Sequence, residues 1–138
     1  MRFYPDHRLI AWWPEGVVSR ERVIRYYEQL AACEWGDHAN RFCDFSKVTD
    51  FGFDVRGLGS LAAYRKRRLE SHREIKLVIY SSNPLGFGMA RVYQSLVEDL
   101  PLECFVETSL DRCAEHLGID RGLIEWPGGD VEDPTALS

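Results

Sequence analysis

Apolar positions along the chain follow two alternating rhythms. Leu9 to Trp13, "LIAWW", is a short run of bulky residues ending at Pro14-Glu15-Gly16, which predicts a strand and a turn. Met1 to Tyr4 predicts a partner strand, joined to it through "PDHR". Ser19 has N-cap chemistry, and behind it Val23, Ile24, Tyr27, Leu30 and Ala31 recur at helical spacing to about Cys33. "EWGDHAN" reads as a loop, and "RFCDF", Arg41 to Phe45, as a strand whose alternation is not clean. Asp54 caps a second helix that carries Leu58, Leu61, Ala62 and Leu69. "IKLVIY", Ile75 to Tyr80, has the pattern of a buried strand. Asn83-Pro84 opens a third helix whose apolar face runs from Met89 to Leu100, ended by Pro101. Leu102 to Glu107 is the last strand, and Ser109 caps a final helix closed by Gly118.

The predicted order is β-β-α-β-α-β-α-β-α. Strands alternating with helices imply crossover connections, so the expected class is α/β, with a mixed four- to five-stranded sheet and about four helices. The character changes after Gly118. From residue 120 onwards Asp120, Glu125, Asp130, Glu132 and Asp133 stand against Arg121 alone. This divides the chain into a domain over 1–119 and an acidic extension over 120–138, read as a solvated tail. Leu123, Ile124 and Trp126 are expected to dock on their own domain.

Composition narrows the class of function. The 138 residues are 45% hydrophobic and 28% charged, ordinary for one globular domain. The net charge of −5 argues against a nucleic-acid coat. No apolar run approaches the roughly 18 residues of a membrane span. Pro5, Asp6, Arg8 and Pro14 interrupt the first segment, so it lacks a signal-peptide core and a cytoplasmic location is expected. Cys33, Cys43, Cys104 and Cys113 form no C-x-x-C pair and read as reduced thiols packed as small hydrophobes.

Three local motifs, in this order, carry a resemblance. They are "CDFSKVTDF", "IKLVIYSSNPLGFGMARVYQSL" and "FVETSLDRCAEHLGI". Over roughly residues 9 to 119 the chain resembles the SpoIIAA-like family, within the STAS group (sulfate transporter and anti-sigma factor antagonist domains). That resemblance implies a single small, non-catalytic domain. It also implies a switch loop, in which regulatory members are phosphorylated on a serine at the start of the second helix. Here Asp54 stands close to that position, with Asp44 and Ser46 earlier in the loop. An aspartate carries one charge where a phosphoserine carries about −1.5 to −2, and it cannot toggle. Its plainer role is to cap the helix, and Ser46 is read as a turn residue.

Two further stretches bear on function. Arg65, Lys66, Arg67, Arg68 and Arg73 gather near a helix end, either as a solvated surface or as a foothold on anionic lipid. Leu85 and Phe87 precede the regular stripe of the third helix, either packed under a loop or forming an apolar lip. No nucleophile elbow, P-loop, zinc-protease or dinucleotide motif is present, since Arg91 stands where G-x-G-x-x-G needs its third glycine. Asp44, Asp50 and Asp54 read as turn and cap residues, with a hard-cation site as the alternative. The expectation is a non-catalytic binding domain for an apolar or lipid-like molecule or a membrane surface, cytoplasmic or peripheral at a membrane. The alternative is a protein-interaction module that has lost the phosphorylatable serine. No cofactor or metal is implied, and strand edges leave homodimerisation open.

Overall fold

The structure, a computed structural model, describes residues 1–69 and 75–127. The class is α/β, with a five-stranded sheet, a two-stranded sheet and four helices. The strands are β1 (Arg2–Tyr4), β2 (Leu9–Trp12), β3 (Gly16–Val18), β4 (Asn40–Asp44), β5 (Val48–Phe51), β6 (Ile75–Tyr80) and β7 (Leu102–Glu107). The helices are α1 (Arg20–Ala32), α2 (Val55–Leu69), α3 (Pro84–Leu96) and α4 (Leu110–Leu117).

The main sheet runs β1-β2-β4-β6-β7. β1 is antiparallel to β2, and every later pairing is parallel. Chain order and spatial order coincide, so each crossover steps the same way across the sheet. With the usual right-handed connection, α1, α2 and α3 must then all cover one face. The core agrees. Ile10, Trp12, Cys43, Leu77 and Ile79 face that helix layer. The alternate residues Leu9, Ala11, Phe42 and Val78 face α4 and the segment after it. Burial on both faces explains why "LIAWW" and "IKLVIY" are continuous apolar runs.

The caps foreseen in the sequence form. The side chains of Ser19, Asn83 and Ser109 accept from the N–H groups of Arg22, Gly86 and Arg112. Asp54 Oδ1 accepts from the Gly57 N–H at 2.9 Å. Gly118 closes α4 at φ +65°, a left-handed conformation that glycine adopts without a Cβ penalty. The segment after it docks as expected. Ile124 is fully buried, its carbonyl accepts from Trp13 Nε1 at 3.0 Å, and the Leu123 carbonyl accepts from Tyr4 OH at 2.8 Å. Residues 128–138, with Asp130, Glu132 and Asp133, lie outside the described residues, as does Arg73.

Four elements differ from the sequence reading. β3 and β5 pair in parallel as a small second sheet beside the C-terminal end of the main one. α3 ends at Leu96, a turn before Pro101, and Leu96 is exposed. The loop "EWGDHAN" holds a 3₁₀ turn over Gly36–His38. A Cβ on Gly36 would collide with the carbonyl oxygen of Leu30, so this turn closes against the end of α1 only with glycine there. Among the described residues, no helix is long and apolar enough to cross a membrane.

Candidate functional site: a cavity between sheet and helices

A cavity of about 70 Å³ lies between the main sheet and the layer of α1, α2 and α3. One water needs roughly 10–15 Å³ of such space, so the cavity admits about five to seven non-hydrogen atoms. Its floor is the inward face of β4. Arg41 and Cys43 alternate along that strand and Phe45 follows its end in the same phase, so all three side chains line the cavity. Its roof comes from α1 (Val23, Tyr26, Tyr27), α2 (Leu58, Leu61, Arg65) and α3 (Met89, Ala90, Tyr93). These sets recur at three- and four-residue intervals, the spacing that puts side chains on one helix face.

Aromatic rings line one end. Phe45 and Phe51 meet edge to face at 5.5 Å, Phe51 and Phe53 at 5.7 Å, and Trp12 and Phe45 at 6.4 Å. Trp12 also stacks on Tyr26 at 4.4 Å. These offset and T-shaped arrangements suit the ring quadrupoles.

Polar groups line the other end. The hydroxyls of Tyr27 and Tyr93 share a hydrogen bond of 2.9 Å. The Arg65 guanidinium stands 5.6 Å from the Tyr27 ring centroid, and its Nη1 lies 3.8 Å from Asp37 Oδ1. Arg41 Nη2 donates to the Gly36 carbonyl at 3.1 Å. Arg41 and Arg65 are each only 2% exposed. Among the described residues, Arg41 Nε and both terminal nitrogens of Arg65 meet no hydrogen-bond acceptor. Buried guanidinium N–H groups normally find acceptors, because leaving a charged donor unsatisfied costs several kcal/mol.

Burial sets the protonation states. It pushes Tyr27 up to about 12 and the Cys43 thiol up to about 12. It likewise raises Tyr26 and Tyr93, against the downward pull of Arg65 on both. The hydroxyls and the thiol are therefore neutral at physiological pH. Among the described lining residues, the charge comes from Arg41 and Arg65.

The residues singled out in the sequence fall in several places. Arg65 is in the cavity wall, not on the surface with Lys66 and Arg67, because α2 turns it inward behind Leu58 and Leu61. Lys66 and Arg67 are exposed, with Arg67 5.7 Å from the Tyr64 ring centroid. The side chain of Arg68 lies outside the described residues. Leu85 is exposed and Phe87 half-buried at the start of α3. α2 and α3 both run back along parallel strands, so the end of α2 and the start of α3 sit at opposite ends of the helix layer. Fifteen residues of α2 span about 22 Å at 1.5 Å per residue, so the basic and apolar groups do not adjoin.

The switch-like loop is tied up locally. Asp44 is buried on the α4 face, and its Oδ1 accepts from the Ser46 N–H at 2.8 Å. Ser46 Oγ accepts from the Ser82 N–H at 2.9 Å, and Asp50 Oδ1 from the Phe51 N–H at 2.9 Å. With Asp54 capping α2, each carboxylate of this stretch has a local backbone partner. Among the described residues, no three His, Cys, Asp or Glu side chains converge as a metal site would require.

The sequence reading missed Arg41, Tyr26, Tyr27 and Tyr93 as site residues. For Arg41 a signal was present: an arginine at an inward position is what spoiled the alternation of "RFCDF". Comparisons with protein-family models, with curated proteins and with solved structures find no match.

Proposed function

We propose that this chain is a binding domain for a small apolar or amphipathic molecule, held between its sheet and its helix layer. One observation carries this reading: the cavity of about 70 Å³, floored by β4 and roofed by three helices. Close-packed interiors leave few voids larger than a water molecule, and a well-formed pocket of mostly apolar lining with a few polar groups is the usual form of a ligand site. The resemblance to SpoIIAA-like STAS domains belongs to this proposal as an analogy of layout. The singly wound sheet and the capping Asp54 support it. A membrane-contact role draws less support, because Lys66 and Arg67 stand at the opposite end of the helix layer from Leu85 and Phe87.

The test is uptake of hexan-1-ol, a neutral probe that fits the space, followed by protein-detected NMR. Resonances of Leu61, Met89 and Ala90 shift with saturation in the wild type. In Ala90→Val, whose two added carbons enter the cavity, those of Leu61 and Met89 do not. Shifts confined to the outer surface, or equal uptake by the plugged variant, would contradict the reading.

A further inference from the structure

The cavity changes character along its length, and every element that lines it changes in the same sense. Along β4 and the residue that follows it, the inward series runs from Phe45 through Cys43 to Arg41, a span of about 13 Å at 3.3 Å per residue. β4 leads into α2 through β5, and α2 runs back the other way, so its inward series Leu58, Leu61, Arg65 again ends in a cation at the Arg41 end. α3 passes from Met89 to Tyr93, and α1 from Val23 to Tyr27, in that same direction. The contacts agree with this ordering. Tyr27, Tyr93 and Arg65 adjoin one another, while Phe45, Phe51 and Phe53 adjoin at the far end.

Among the described residues, charge at the polar end is not balanced. Two guanidiniums are buried there, and the carboxylate beside Arg65 is Asp37, whose Oδ1 is 3.8 Å from Nη1 and accepts no hydrogen bond. Two positive charges against one negative leave about one positive charge over, beside guanidinium nitrogens that lack acceptors. The hydroxyls of Tyr27 and Tyr93 stand next to them as neutral donors.

We propose that the occupant of this cavity is a small organic acid, its carboxylate at the Arg41–Arg65 end and its apolar body against Trp12, Phe45, Phe51 and Phe53. This rests on the ligand-binding reading above and names the chemical class. A carboxylate supplies the acceptors that the guanidiniums lack, in the paired geometry that arginine favours. A single negative charge matches the charge left over, which a phosphate dianion would exceed. The room for about five to seven non-hydrogen atoms limits the body to a short chain or a single ring.

Three probes of like size, each within the room available, separate the possibilities: pentanoate, hexan-1-ol and ethyl phosphate, titrated into the full chain by calorimetry at neutral pH. Pentanoate binds at least tenfold more tightly than hexan-1-ol, and more tightly than ethyl phosphate. Arg65→Met and, separately, Arg41→Met reduce the preference for pentanoate over hexan-1-ol, measured within each variant, to threefold or less. The wild-type comparison needs no variant, so a folding defect in either one leaves the proposal open to refutation. Equal binding of pentanoate and hexan-1-ol overturns the acid assignment and leaves the cavity reading standing. Preference for ethyl phosphate overturns the carboxylate. Absence of binding by all three probes overturns the cavity reading itself.

Discussion

Replacing Arg65 by methionine should make the ligand-free protein more stable, the reverse of what a core substitution ordinarily does. Arg65 is 2% exposed, and its terminal nitrogens find no acceptor among the described residues. Taking such an ion out of water costs several kcal/mol even after relaxation. Against that, the substitution removes the contact with the Tyr27 ring, worth at most about 2 kcal/mol in a desolvated setting. It also removes a 3.8 Å pairing with Asp37, whose Oδ1 is buried but whose side chain as a whole is 30% exposed. Methionine keeps most of the apolar length and fills irregular space well. Apolar replacement of buried ions is neutral or stabilising by about 1–4 kcal/mol in measured cases. The expected net gain is about 1–2 kcal/mol. With a urea slope near 2 kcal/mol/M, the unfolding midpoint rises by about 0.5–1 M at constant slope. A loss of more than about 2 kcal/mol would show that Arg65 holds the fold together, and the case for an unfilled anion site would fail.

Three other substitutions probe the surrounding account. Asp54→Ala should cost about 1 kcal/mol through loss of the Gly57 N–H acceptor, and Asp54→Ser should cost far less; equal losses measured by urea unfolding would remove the capping role. Ile124→Ala should cost about 2–5 kcal/mol, because its side chain is fully buried against the α4 face; a loss below 1 kcal/mol, by the same assay, would mean the C-terminal segment is not docked. Burial holds the Asp44 carboxyl above its ordinary 3.8. The native state therefore keeps its proton to higher pH than the unfolded chain, so this group's contribution falls as pH rises from 3.8 through the folded value. Asp44→Asn keeps an oxygen for the Ser46 N–H and abolishes that titration. Its stability relative to wild type should thus improve between about pH 3 and about pH 7; a difference that stays flat contradicts the assignment.

Much of the layout was legible because it rests on local chemistry. Ser19, Asp54, Asn83 and Ser109 precede helical periods and carry side-chain acceptors, so four helix starts follow from sequence alone. "IKLVIY" and "LIAWW" could be read as strands because a parallel sheet covered on both faces needs continuous apolar runs. β3 and β5 escaped because each is only three or four residues long and owes its existence to a long-range parallel pairing.

The cavity escaped for a related reason. "YRKRRL" looks like a solvated helix end, since a run of cations gives no sign of which one the helix turns inward. Only the phase set by Leu58 and Leu61 places Arg65 inside while Lys66 and Arg67 stay out. Arg41 shows the same logic in a strand: its phase is that of Cys43 and Phe45. In both cases the charge falls on a position that the apolar period assigns to the core.

The most direct measurement is a crystal structure of the protein grown with pentanoate. The account predicts the carboxylate within about 2.7–2.9 Å of guanidinium nitrogens of Arg41 or Arg65, the charge-assisted range, with the chain pointing towards Phe45 and Phe53. An empty or collapsed cavity, or a pentanoate lying with its carboxylate at the phenylalanine end, would contradict it.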